Sequence, residues 1–86
     1  MADSNSLVPD AQLDLRGTPC PINFVRTKLQ LKKMASNSLL EVWLDAGEPM
    51  EQVPDSLRME GYLVEQAIAQ DDGAYYALLV RCPAGE

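Results

Sequence analysis

Ala11, Leu13 and Leu15 alternate with Gln12, Asp14 and Arg16, and a period of two marks a half-buried strand over residues 11–16. Gly17 and Pro19 break it. The period then changes: at about 100° per residue, Phe24, Thr27, Leu31 and Met34 fall on one uncharged side of a helix. Pro21 suits the first helical position, where its missing N–H would have had no partner. The helix is therefore expected from Pro21 to Ala35, with Asn37 able to adopt the left-handed conformation that closes it. Leu40, Val42 and Leu44 alternate with Leu39, Glu41 and Trp43 in a second strand over 38–45. Gly47 and Pro49 point to a loop over 46–52. Pro54 is expected to open a second helix, with Asp55 in its first turn, Leu57 as its clearest core residue and Gly61 as its stop. A third strand over 62–70, a hairpin turn at Asp72-Gly73 and a last strand over 74–82 complete the chain.

The order strand, helix, strand, helix, strand, strand predicts an α+β fold. Its economical form is a two-layer α/β sandwich, βαβαββ, with two helices on one face of a four-stranded mixed sheet. By alternation the other face carries Leu39, Trp43, Tyr75 and Leu79, a large apolar area for water to meet. A partner, a dimer contact or the N-terminal tail would cover it; scattered apolar exposure is the plain alternative. The 86 residues suffice for one domain. Residues 1–10 are expected to be a disordered tail, residues 11–82 the folded domain and residues 83–86 a second tail.

Composition narrows the function. The first ten residues have neither a basic segment nor an apolar core, and no apolar run reaches membrane-spanning length. The expectation is a cytoplasmic protein without membrane contact, its thiols reduced. A net charge of −6 argues against nucleic-acid binding by the chain alone. The charge is uneven: residues 1–33 are net +2 through Arg16, Arg26, Lys28, Lys32 and Lys33, whereas residues 34–86 are net −8. The absence of histidine removes the commonest metal ligand and the commonest general base. Cys20 and Cys82, 62 positions apart, lack zinc-site spacing. No metal and no cofactor are expected.

The basic corner surrounds Cys20, which lies between two prolines. With Pro21 as the first helical residue, Cys20 is the N-cap, since a residue before proline takes the extended dihedrals a cap needs. A thiol beside a helix N-terminus has a lowered pKa, and its thiolate is the nucleophile. Arg16 and Arg26 add positive charge, and Pro19 restrains the approach. The competing reading is a buried, inert cysteine, which suits Cys82 better, at a strand end with no helix start nearby. On the helix, Ile22, Val25 and Leu29 form a second apolar stripe. Lys28 and Lys32 flank it on one edge, Arg26 and Lys33 on the other. This is either a docking surface or the margin of a wide apolar face with solvated cations.

The run Leu13-Asp14-Leu15-Arg16-Gly17 leading to Cys20-Pro21, the basic helix, Val53-Pro54, Gly61 and the Asp72-Gly73 turn resemble the TusA, or SirA-like, sulfur-carrier family over residues 11 to 82. The resemblance implies the same βαβαββ fold and a protein that carries sulfur as a persulfide on Cys20. It also implies a cysteine desulfurase or rhodanese-like donor, and an acceptor in tRNA thiolation, molybdenum-cofactor assembly or sulfur metabolism. A monomer or weak dimer is expected. The family pattern is Cys-Pro-x-Pro, whereas this chain has Asn23 at the fourth position, restoring an N–H and adding an amide able to donate to sulfur. Around Cys20, the sulfur site would thus draw on Arg16, Pro19, Pro21, Asn23 and Arg26. Partner docking would draw on Ile22, Val25, Lys28, Leu29, Lys32 and Lys33. The alternatives are an interaction or regulatory module of the same fold without sulfur transfer, and a thiol redox switch.

Overall fold

The computed structural model describes residues 9–19 and 21–83. The chain runs β1 (Ala11–Asp14), α1 (Ile22–Lys32), β2 (Leu39–Asp45), α2 (Glu48–Met59), β3 (Leu63–Gln70) and β4 (Tyr75–Arg81). The strands form one sheet in the order β1-β2-β4-β3. β1 lies parallel to β2, and the other two pairings are antiparallel. This is the expected two-helix, four-stranded mixed architecture.

Register decides what is buried. Leu40, Val42 and Leu44 stand opposite Val80, Leu78 and Tyr76, and this face meets the helices. Leu31 of α1, Val53 and Leu57 of α2, Leu15 and Cys82 close the same core. On the other face Trp43 stands opposite Ala77 and Leu39 opposite Arg81. That face is less open than alternation implied. Leu39 and Leu79 are buried, and Trp43 and Tyr75 are half-buried. The apolar exposure moves instead to Leu63 and Ile68 on the edge strand β3. A bulge between Val64 and Gln66 interrupts the pairing of β3 with β4.

The second helix departs most from expectation. It begins at Glu48, six residues before Pro54, and Pro54 lies inside it. Met50, Val53, Pro54 and Leu57 are spaced i, i+3, i+4, i+7, and all four turn toward the core. Burial of that stripe outweighs the helical bond that Pro54 cannot donate. Pro49 occupies the opening turn, after Gly47 at φ 98°, and Glu48 and Glu51 supply the acidic first turn. At the far end Tyr62 N–H reaches the Leu57 carbonyl and Gly61 N–H the Arg58 carbonyl, both at 3.0 Å. With Gly61 at φ 97°, this is a Schellman closure, so Gly61 is the expected stop.

The remaining boundaries shift less. The first strand ends at Asp14, although Leu15 N–H continues the ladder to the Trp43 carbonyl at 3.0 Å. Helix α1 starts at Ile22, one residue later than expected, with Pro21 as the cap, and ends at Lys32 in tight turns over Lys33 and Met34. Asn37 is left-handed at φ 67° but lies in the turn into β2, beyond the helix end. The tight connection after β3 holds Asp71, Asp72 and Gly73 all at positive φ. Of the expected tails at residues 1–10 and 83–86, residues 1–8 and 84–86 lie outside the described residues, whereas Asp10 is bonded to the sheet, its N–H donating to the Leu39 carbonyl at 2.7 Å. Among the described residues, no helix is long and apolar enough to cross a membrane.

Candidate functional site

The segment leading from β1 to α1 is tied down bond by bond. Arg16 N–H donates to Asp14 Oδ1 at 3.1 Å, and Gly17 N–H donates to Asp45 Oδ2 at 2.6 Å. Thr18 N–H then closes onto the Leu15 carbonyl at 3.1 Å. Gly17 sits at φ 80°, where a side chain would be strained. Cys20 itself lies outside the described residues; the cap of α1 is Pro21, not Cys20 as expected, because the helix starts one residue later, at Ile22. The neighbours of Cys20, Pro19 and Pro21, are both exposed. The carbonyl of Pro19 accepts from Asn23 N–H at 3.0 Å, and that of Pro21 accepts from Val25 N–H at 3.0 Å. With Phe24 N–H also bonded, three amides at the start of α1 already have acceptors.

Arg16 is engaged by the sheet. Its guanidinium grips the Asp14 carboxylate through Nε at 2.9 Å and Nη2 at 2.8 Å. It also lies 4.7 Å from the Trp43 ring centroid and 4.5 Å from that of Tyr75. The hydrogen bonds from Arg16 hold the Asp14 carboxyl at about 2, below its ordinary 3.8. The cation is thus compensated by Asp14 and stacked on two aromatic rings of the face away from the helices.

Asn23 is fully buried beneath the first turn of α1. Its Oδ1 accepts from Phe24 N–H at 2.7 Å, and its carbonyl accepts from the Thr27 hydroxyl at 2.8 Å. The donor at Phe24 fixes the amide's orientation, since only the oxygen can face an N–H. Nδ2 is buried without a partner among the described residues. Asn23, Thr27 and Leu31, four residues apart, form the buried side of the helix. Phe24 and Met34, expected on that side, are only half-buried.

The docking residues share one broad arc of α1, from Lys28 at one edge through the apolar stripe to Arg26 at the other. Ile22, Val25 and Leu29 remain 50%, 46% and 55% exposed, so they are not the margin of a wide core face. Lys28 turns toward α2, pairing with Glu60 at 3.1 Å and lying 5.9 Å from the Phe24 ring centroid. Arg26, Leu29, Gln30 and Lys33, at helical spacing i, i+3, i+4, i+7, line a groove of about 210 Å³ together with Leu13 of β1. Lys32 is exposed in the last turn.

Cys82 is 4% exposed. Burial pushes its thiol pKa up, with a smaller contribution from Asp10. Its Sγ lies 3.7 Å from the Leu31 carbonyl, and its N–H donates to the Ser38 carbonyl at 2.9 Å. Sequence reading missed two features here. The burial of Asn23 was legible in its spacing four residues before Thr27. The Asp45 carboxylate that holds Gly17 had no local signal, because the two residues are 28 positions apart.

Residues 11–82 match the family model described as Sulfurtransferase TusA. A protein of Archaeoglobus fulgidus assigned as a sulfur carrier is 38% identical over 63 residues, covering 73% of this chain and 72% of that protein. YedF of Escherichia coli, also assigned as a sulfur carrier, is 32% identical over 76 residues, covering 88% and 96%. Among solved structures, a SirA-like protein from Desulfitobacterium hafniense superposes with a TM-score of 0.69 at 25% identity. The superposition covers 88% of this chain and 99% of that one.

Proposed function

Because the chain belongs to the TusA sulfurtransferase family, we propose that it relays sulfane sulfur as a persulfide on Cys20, from a cysteine desulfurase or rhodanese-type donor to an acceptor protein. The observation that carries the assignment to Cys20 is the state of the other thiol. Cys82 is buried with a raised pKa, and a buried thiol in apolar surroundings is inert. Cys20 stands between two exposed prolines, at the entry to the cationic helix.

The reaction needs no histidine. The Cys20 thiolate attacks the terminal sulfur of the donor's persulfide, one S–S bond forms as another breaks, and the donor leaves as a thiolate. No net oxidation occurs, and the same exchange in reverse sense delivers the sulfur to the acceptor. Ile22, Val25 and Leu29 serve as the apolar contact for these partners, beside the cations of Arg26, Lys32 and Lys33. Acceptors in tRNA thiolation, molybdenum-cofactor assembly or sulfur metabolism fit this chemistry equally.

Docking and chemistry separate experimentally. Val25→Asp should slow loading by a desulfurase while leaving loading by inorganic polysulfide unchanged, as both rates followed by persulfide trapping would show. Equal desulfurase rates for the variant and the parent would remove the stripe from the partner interface.

A further inference from the structure

The groove beside α1 has the construction of a peptide site. One wall is β1, an edge strand whose only partner among the described residues is β2. Its other edge therefore offers backbone groups for an added strand. The opposite wall is the Arg26, Leu29, Gln30, Lys33 side of α1, and Leu13 and Leu29 give the groove its apolar surface. A helix set beside a free strand edge is how β-augmentation domains seat an extended peptide: main-chain bonds supply affinity and alternate side chains enter the groove. Arg26 and Lys33 border this groove, and neither makes an ion pair with a described residue. Lys28, by contrast, is committed to Glu60.

We propose that this groove binds an extended acidic segment of a partner protein, added as a strand on the free edge of β1 with apolar side chains against Leu13 and Leu29 and carboxylates facing Arg26 and Lys33. Charge selects the occupant. Two cations without an ion-pair partner among the described residues, on a chain of net charge −6, favour a negative ligand here. A second copy is a poorer fit: on its own edge strand β3, Glu65 is paired with Arg81 at 2.8 Å, Asp71 and Asp72 lie in a tight turn, and Glu48, Glu51 and Asp55 are on helix α2. The proposal rests on the carrier reading only for the partner's being a sulfur donor or acceptor.

The test is an amide chemical-shift titration of the full chain with a blocked valine peptide flanked by aspartates, against a peptide of the same length flanked by lysines. The aspartate peptide should shift the amides of Leu13, Leu29 and Gln30, and Arg26→Glu with Lys33→Glu should weaken it at least about tenfold. No shift at about 1 mM peptide, equal binding of the lysine peptide, or shifts confined to other elements would overturn the proposal. So would concentration-dependent shifts of the same amides without peptide, which would place a second copy in the groove. The titration uses no sulfur chemistry, so its failure and a failure of Cys20 loading are separate results.

Discussion

Replacing Asn23 with proline should leave stability nearly unchanged despite removing a fully buried polar residue. The substitution deletes the Asn23 N–H bond to Pro19 at 3.0 Å and the Oδ1 acceptor of Phe24 at 2.7 Å. Each such bond contributes about 0.5–1.5 kcal/mol net. It also removes Nδ2, a buried donor without a partner among the described residues, whose desolvation costs about 1–3 kcal/mol. Proline's restriction of the unfolded chain brings no net gain where the replaced N–H was hydrogen-bonded, and the first helical turn tolerates its ring. Gains and losses offset to within about 1 kcal/mol, which at a urea m-value of about 1–3 kcal/mol/M shifts the midpoint by less than about 1 M. Urea unfolding followed by Trp43 fluorescence measures this directly. A loss above about 3 kcal/mol would refute the reasoning, because it would mean that the Asn23 amide stabilises the native state through a bond at Nδ2.

Asp14→Asn tests the ion pair with Arg16. The folded carboxyl titrates at about 2 against 3.8 ordinarily, so the pair's stabilisation is present above that ordinary value and lost as pH falls through 2. The melting-temperature difference between parent and variant should therefore shrink to nothing in acid; a difference independent of pH would contradict the pairing. Leu57→Ala empties a fully buried position of α2 in the core and should cost about 2–5 kcal/mol in urea unfolding. A cost below about 1 kcal/mol would show that α2 does not close the core there.

Fold and site were unequally legible. Period-two runs in β2 and β4 and the Asp72-Gly73 turn are local signals, and they placed the sheet within a residue or two of its ends. Helix α2 was cut short because Gly47, Pro49 and Pro54 are local breakers, whereas the stripe Met50, Val53, Pro54, Leu57 acts only once a sheet lies beneath it. The opposite face looked more exposed than it is because alternation says which face a side chain takes, not what lies over it. No pattern foretold that Arg16 would stack on Trp43 and Tyr75, whose positions lie far along the chain. In the cysteine segment, the prolines and the glycine announced a shaped turn. Its anchors at Asp45 and Trp43 depended on register between strands, which spacing does not encode.

The central claim is that Cys20 alone carries sulfur, and intact-mass measurement tests it most directly. The reduced protein, a cysteine desulfurase and cysteine should yield one added sulfur, about 32 Da, on the parent and on Cys82→Ala, and none on Cys20→Ala. An adduct of equal yield on Cys20→Ala, or none on the parent, would contradict it.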